Sequence, residues 1–225
     1  MGYNDRKRQE KEIKRKDIID AAERVFFLKG FENASMDEVA KEAEFSKRTV
    51  YIYFNSKEQI YFEIMIRGYR LLIQMIENSF SAKPPRNALD ELHNIFFTFF
   101  EFSRDCPEYF KAIMEYETKD SDDQTNVKDE SKAECYRLGE MIFGYLFRAL
   151  QKGVAQGTLR SGIDTEQAAL ILWACTIGVY NTGKKKGDYL KNYHGVDSNE
   201  FILKSFQLIM QLIDRNGENQ DEKGA

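Results

Sequence analysis

Proline is nearly absent from this chain: Pro84, Pro85 and Pro107 are the only three in 225 residues. Long stretches therefore carry no helix breaker, and no segment alternates apolar and polar residues over the length of a strand, so an all-α chain is expected. Cysteine is as scarce. Cys106, Cys135 and Cys175 are odd in number, scattered, and form no CxxC pair, which excludes a disulfide framework and reads as reduced structural thiols, with a redox sensor as the alternative. The two histidines, His93 and His194, have no Cys, Asp or His partner at ligand spacing, so no metal site and no cofactor are expected. No P-loop, HExxH or nucleophile elbow occurs, which argues against an enzyme. No apolar run reaches the ~18–20 residues of a membrane span; residues 168–180 are the most apolar and are too short. The first residues are charged and lack the apolar core of a secretory signal, so a cytoplasmic protein without membrane association is expected.

The net charge of −4 argues at first against nucleic acid, but its distribution argues otherwise. Residues 1–57 hold 13 Lys/Arg against 11 Asp/Glu, residues 58–225 hold 20 against 26, and residues 1–16 alone hold 7 against 3. Positive charge thus gathers at one end, as in a chain whose first part meets phosphates.

Residues 1–16 read as a mobile basic arm. A helical stripe follows (Ile18, Ile19, Ala22, Val25, Phe26) and stops at Gly30. Ser35-Met36-Asp37-Glu38 is a capping box opening a short helix, and Ser46 caps a second one over 47–54. Ser56-Lys57-Glu58-Gln59 opens a long helix to about residue 80. Beyond the Pro84-Pro85 break, helices are expected over 87–104, 107–118, 127–156, 164–186 and, capped by Ser198, 198–214. Residues 119–126 and 187–197 read as loops and 215–225 as a disordered tail.

The second and third helices are separated by about three residues, Glu44-Phe45-Ser46, which is helix-turn-helix spacing. In such a pair the later helix enters the ~12 Å major groove and the earlier one braces it. Val50 and Phe54, four apart, would face the core. Lys47, Arg48, Tyr51 and Ile52 are left to other faces. Arg48 is a donor fork suited to guanine O6/N7, Lys47 a point charge, and Ile52 a partner for a thymine methyl. Thr49, Tyr53, Lys57, Ser46 and Ser35 carry groups suited to phosphate oxygens.

Residues 13–64 resemble the DNA-binding domain of the TetR/AcrR family. The runs that carry the resemblance are Ile18 to Phe26, Lys29-Gly30-Phe31, Ser35 to Ala40, and above all Ser46-Lys47-Arg48-Thr49-Val50-Tyr51-Ile52-Tyr53-Phe54-Asn55-Ser56-Lys57-Glu58. The family pattern in the last run is close to S-x-x-T-[LV]-Y-x-[YH]-F-x-[SN]-K-[ED]. The resemblance implies phosphate contacts by Thr49, Tyr53 and Lys57, and base-edge positions for Lys47, Arg48, Tyr51 and Ile52. It implies a DNA-binding domain over residues 1–57 and a larger helical ligand-binding and dimerisation domain over 58–225. The family commonly has Gly in the turn before the third helix; here Glu44 stands there, and if the turn needs φ > 0 this residue is strained.

Two stripes suit a four-helix dimer interface: Ile171 and Cys175 on one helix, Phe201, Ile202, Phe206, Ile209, Met210 and Ile213 on the last. The run Phe96-Phe97-Thr98-Phe99-Phe100-Glu101-Phe102 places Phe on all sides of its helix, which requires burial on more than one face. Phe96, Phe99 and Phe100, with Tyr109, Phe110, Met114, Trp173 and Tyr180, either line an apolar ligand cavity or are plain core. The expected function is a homodimeric transcription regulator, a repressor by family habit, released from a pseudo-palindromic double-stranded operator by a small apolar or amphipathic effector. The alternative is a DNA-binding regulator or architectural protein controlled by a protein partner.

Overall fold

In a computed structural model describing residues 3–117 and 130–215, the chain is all-α, with ten helices and no strand among the described residues. The expected loop 119–126 and the tail beyond residue 215 lie outside them. The chain divides into two compact units.

The first unit holds α1 (Tyr3–Lys29), α2 (Met36–Glu42), α3 (Lys47–Tyr53), α4 (Lys57–Ala82) as far as Tyr69, and α7 (Glu130–Ala155) as far as Leu138. The segment expected to be a mobile arm is helical from Tyr3. Its Lys, Arg, Glu and Gln are strong helix formers, nothing after Gly2 breaks the backbone, and Lys14 pairs with Glu10 one turn away at 2.6 Å. From Ile18 the helix turns apolar: Ile18, Ala21, Ala22 and Val25 are buried, and Gly30 at φ +80° ends it. Their partners are Val39, Val50, Phe54, Ile60 and Ile64, all at most 1% exposed. Two forks pin α4 to α1. Arg67 reaches Asp20 at 2.6 Å and Glu23 at 2.9 Å, and Arg15 reaches Glu63 at 2.6 Å while its guanidinium lies 5.1 Å from the Phe54 ring. Glu63 also accepts from the buried Ser131 hydroxyl, and the Cys135 thiol donates to the Phe62 carbonyl at 3.4 Å.

The second unit holds the rest of α4, α5 (Ala88–Asp105), α6 (Pro107–Glu117), the rest of α7, α8 (Thr165–Lys185), α9 (Gly187–His194) and α10 (Ser198–Ile213). Asn87 caps α5, and Pro107, which needs no N–H there, opens α6. Asp164 caps α8 through Glu166 and Gln167, both at 3.1 Å. Of the Phe run, Phe96, Phe99, Phe100 and Phe102 are buried and Phe97 is 44% exposed, stacked beside His93.

Two expectations are corrected here. Residues 187–194 are helix α9, not loop: Leu190 turns into the core, Tyr189 and Tyr193 stack one turn apart at 5.3 Å, and Gly195 at φ +66° closes the end. The cap of α10 is Asp197, whose carboxylate accepts from Asn199 at 2.8 Å and Glu200 at 3.2 Å, and Ser198 is the first helical residue. Helices α8 and α10 approach closely at Gly183, where a Cβ would stand 2.9 Å from Ile202.

Candidate nucleic-acid interface and effector cavity

Helix α3 has seven residues, and its two faces have different duties. Val50 and the following Phe54 are buried and hold it to the unit, each contributing about 1.5–3 kcal/mol by burial. Ser46 caps it by accepting from the Thr49 N–H at 3.0 Å, and the Ser46 and Thr49 hydroxyls lie 2.8 Å apart. Lys47, Arg48, Tyr51 and Ile52 are exposed, Ile52 to 69%. Among them, Lys47 reaches Asp37 of α2 at 2.7 Å across solvent-exposed surface, a pairing of little net worth that a phosphate can replace. Thr49 and Tyr53 are half-buried at the flank of the same face.

The brace, α2, opens on the expected capping box. Ser35 accepts from the Glu38 N–H at 3.3 Å while the Glu38 carboxylate accepts from the Ser35 N–H at 2.9 Å. Lys29 pairs with the same carboxylate and, with the Ser35 hydroxyl and N–H, holds its pKa down at about 2.

Between α2 and α3 the chain forms a Schellman turn. The Phe45 N–H bonds the Ala40 carbonyl at 3.0 Å and the Glu44 N–H bonds Lys41 at 3.2 Å, with Glu44 at φ +57°. Among the described residues it is the one non-glycine with positive φ. The turn does need the left-handed conformation, and a side chain sits where glycine would be free of strain.

Lys57 sits differently from its neighbours in the motif. Its ammonium donates to the carbonyls of Phe31, Glu32 and Ala34 at 3.0, 3.3 and 3.2 Å and lies 4.5 Å from the Phe31 ring centre. It ties the loop ahead of α2 to the start of α4. No spacing rule in the sequence distinguishes that duty from a phosphate contact.

In the second unit, Phe110, Met114 and Tyr180 line one cavity of about 320 Å³, together with Ser103, Pro107, Asn181, Glu115 and the lysines 111, 184 and 185. Phe96 lines a separate hollow of about 490 Å³ with His93, Phe97, Leu203, Phe206 and Met210. Phe99 instead meets Trp173 edge-on at 6.0 Å. Phe100 is buried and Tyr109 half-buried, and neither belongs to the lining of these two spaces. Lys184 and Lys185 escaped sequence reading because lysines in a helix's last turn look like ordinary partners of its dipole.

The two stripes on α8 and α10 split in the same way. Ile202 and Phe206 are buried, at 0% and 6% exposure, while Ile171 is 52% exposed; Cys175, Phe201, Ile209, Met210 and Ile213 are half-buried. The open apolar surface includes Leu170 on α8 and Leu203, Leu208 and Leu212 on α10, which the stripes did not single out. No cluster of three or more metal-ligating side chains occurs among the described residues, and no helix there is long and apolar enough to cross a membrane.

Comparison with known proteins agrees with this architecture. Residues 18–64 match the family model of bacterial regulatory proteins of the tetR family. The chain is 38% identical over 156 residues to the uncharacterized HTH-type transcriptional regulator YfiR of Bacillus subtilis, covering 67% of this chain and 70% of that one. Among solved structures, it resembles the fold of the Bacillus subtilis transcriptional regulator FadR in complex with stearoyl-CoA, with TM-score 0.63, 19% identity, and 86% and 96% of the two chains covered. It also resembles that of AibR in complex with isovaleryl coenzyme A and operator DNA, with TM-score 0.62, 17% identity, and 87% and 97% covered. The helix-turn-helix geometry and these likenesses agree: the chain belongs to the tetR family, DNA-binding transcription regulators and not enzymes.

Proposed function

We propose that the protein is a cytoplasmic, homodimeric repressor that leaves its operator when a small molecule enters the second unit. The observation that carries the DNA reading is the outward face of α3. Lys47, Arg48, Tyr51 and Ile52 are exposed and offer a cation, a donor fork, an aromatic hydroxyl and an apolar tip to base edges. Ser35, Ser46, Thr49 and Tyr53 surround that face and suit phosphate oxygens. Lys57 serves by holding the loop in front of α2, so that its effect on DNA binding runs through the position of Ser35.

Two copies joined through the exposed apolar residues of α8 and α10 would set two recognition helices about 34–36 Å apart, one turn of DNA. An effector that favours another spacing lowers operator affinity by population shift. Helix α4, whose residues belong to both units, is the element we assign to the coupling. A second reading, control by a protein partner, draws on the exposed Tyr189–Tyr193 stack of α9.

The test is an anisotropy titration against DNA upstream of the protein's own gene, at two salt concentrations. Tight, salt-steep binding that Arg48→Ala weakens by about 1–3 kcal/mol, mainly at one base position, supports the DNA reading. Uniform weakening across sequences would make Arg48 a phosphate contact. A compound screen by thermal shift then separates the two modes of control: a hit that releases DNA supports the effector, and a saturating screen without a hit supports the protein partner.

A further inference from the structure

The cavity between α5, α6 and α8 has three layers of chemistry. Its walls are Pro107, Phe110 and Met114, the last two 6% and 4% exposed. At its base lies Tyr180, wholly buried. The Tyr180 hydroxyl has no hydrogen-bond partner among the described residues. Ser103 is its polar neighbour but stands outside hydrogen-bond geometry and donates instead to the Phe100 carbonyl at 2.8 Å. Burial holds the phenol far above its ordinary pKa, so it is a donor at every physiological pH. A buried donor left without an acceptor costs free energy, which an acceptor seated in the cavity would return. Its charged lining is Lys111, Lys184 and Lys185 with one carboxylate, Glu115. Lys111 faces Glu115 at 3.7 Å, whereas Lys184 and Lys185 make no ion pair among the described residues.

Resting on the effector reading above, we infer that this cavity takes a small amphipathic carboxylate: an apolar body against Phe110 and Met114, an oxygen accepting from the Tyr180 hydroxyl, and a negative charge balanced by Lys184 and Lys185. Size narrows the class. At about 320 Å³ the cavity lies at the lower end of the roughly 300–1,000 Å³ spanned by small-molecule pockets. That suits a medium-chain or single-ring acid better than a long-chain acyl group. A coenzyme A thioester shares the acyl body but carries no charge at its carbonyl, so the free acid is the form this pairing favours.

The experiment is isothermal titration of the full-length protein with octanoate, octanamide, octanoyl-CoA and stearate, each followed by an operator-release assay. Octanoate binds, with affinity falling as salt rises, and octanamide binds at least about tenfold more weakly. Tyr180→Phe weakens octanoate by about tenfold or more, the loss expected for a hydrogen bond to a charged group. Lys184→Gln with Lys185→Gln weakens it severalfold and flattens the salt dependence. Tyr180→Phe removes only an unpartnered hydroxyl, so the variant folds, and its melting curve confirms this independently of binding. Octanoate binding without CoA assigns the free acid; binding of the thioester alone, whose carbonyl is neutral, overturns the carboxylate pairing. Equal affinity for octanamide, no effect of Tyr180→Phe, or tighter binding of stearate overturns the inference. Octanoate binding without operator release leaves this site standing and sinks the effector role. Operator release by another class of compound, with no octanoate binding, does the reverse.

Discussion

Replacing Glu44 by glycine should make the protein more stable, which few surface substitutions do. The residue occupies the left-handed position of a complete Schellman turn at φ +57°. An L-residue held there costs roughly 1–2 kcal/mol. Glycine removes that strain but has more freedom to lose on folding, roughly 0.5–1 kcal/mol, so about 0.5–1 kcal/mol should remain. For a chain of this size that is a rise in melting temperature of about 2 °C. The carboxylate also stands at the negative end of α2, where its removal gains a few tenths of a kcal/mol. Glu44→Gln isolates that charge effect, because it keeps the Cβ and the strain. Urea denaturation followed by helical circular dichroism should therefore rank the midpoints wild type, Gln, Gly in rising order. Operator affinity gives a second readout. Both variants lack an anion beside the recognition helix, so both should bind more tightly at low salt and converge on wild type at high salt. A glycine variant no more stable than the glutamine one would refute the strain argument, since the two differ in backbone freedom and not in charge.

Lys57→Ala should destabilise the first unit by about 2 kcal/mol, because three carbonyls lose a charged donor; Lys57→Arg should not restore it, as a planar fork cannot converge on three acceptors as an ammonium does. Denaturant midpoints decide, and an unaffected alanine variant would return Lys57 to the phosphate contacts. Glu38 has a folded pKa of about 2 against an ordinary 4.5, held down by Lys29 and Ser35. A depressed acid supports the fold above its unfolded pKa, so its contribution is complete above about pH 4.5 and vanishes as pH falls through about 2. Carbon-detected NMR titration of its carboxyl checks this, and a midpoint near 4.5 would show that the capping box does not hold in solution. Leu208→Asp with Leu212→Asp, at 60% and 62% exposure, should leave the melting curve of the monomer fold intact and shift sedimentation at micromolar concentration from dimer to monomer; an unchanged dimer would place the interface elsewhere.

Local hydrogen bonding explains what could be read in advance. Ser35 and Ser46 satisfy helix N-termini within three residues of themselves, so their roles are visible in short windows of sequence. Helix α9 was not visible because it sits between two glycines and turns one aliphatic residue, Leu190, inward, leaving no stripe to count. The conformation of Glu44 was legible only as a condition, since a Schellman turn depends on backbone pairing that side chains do not announce. Periodicity showed that α10 has a wide apolar stripe but not its direction: Ile202 and Phe206 go to the core of their own chain, while Leu203, Leu208 and Leu212 stay outside. The cavity was least legible. Aromatic residues close in sequence, Phe96, Phe99 and Phe100, scatter to different surroundings, and the lysines at its rim come from helices about seventy residues apart.

The two faces of α3 have a consequence for how such a regulator changes over time. The side chains that would read DNA, Lys47, Arg48, Tyr51 and Ile52, are exposed, whereas Val50 and Phe54 are buried and Lys57 is tied to three carbonyls of its own chain. If the first set reads DNA as proposed, substitutions there should cost folding little and target choice much; on the second set the reverse is expected. A duplicated copy of this gene could therefore drift to a new operator through three or four exposed positions, at no stage passing through an unfolded intermediate.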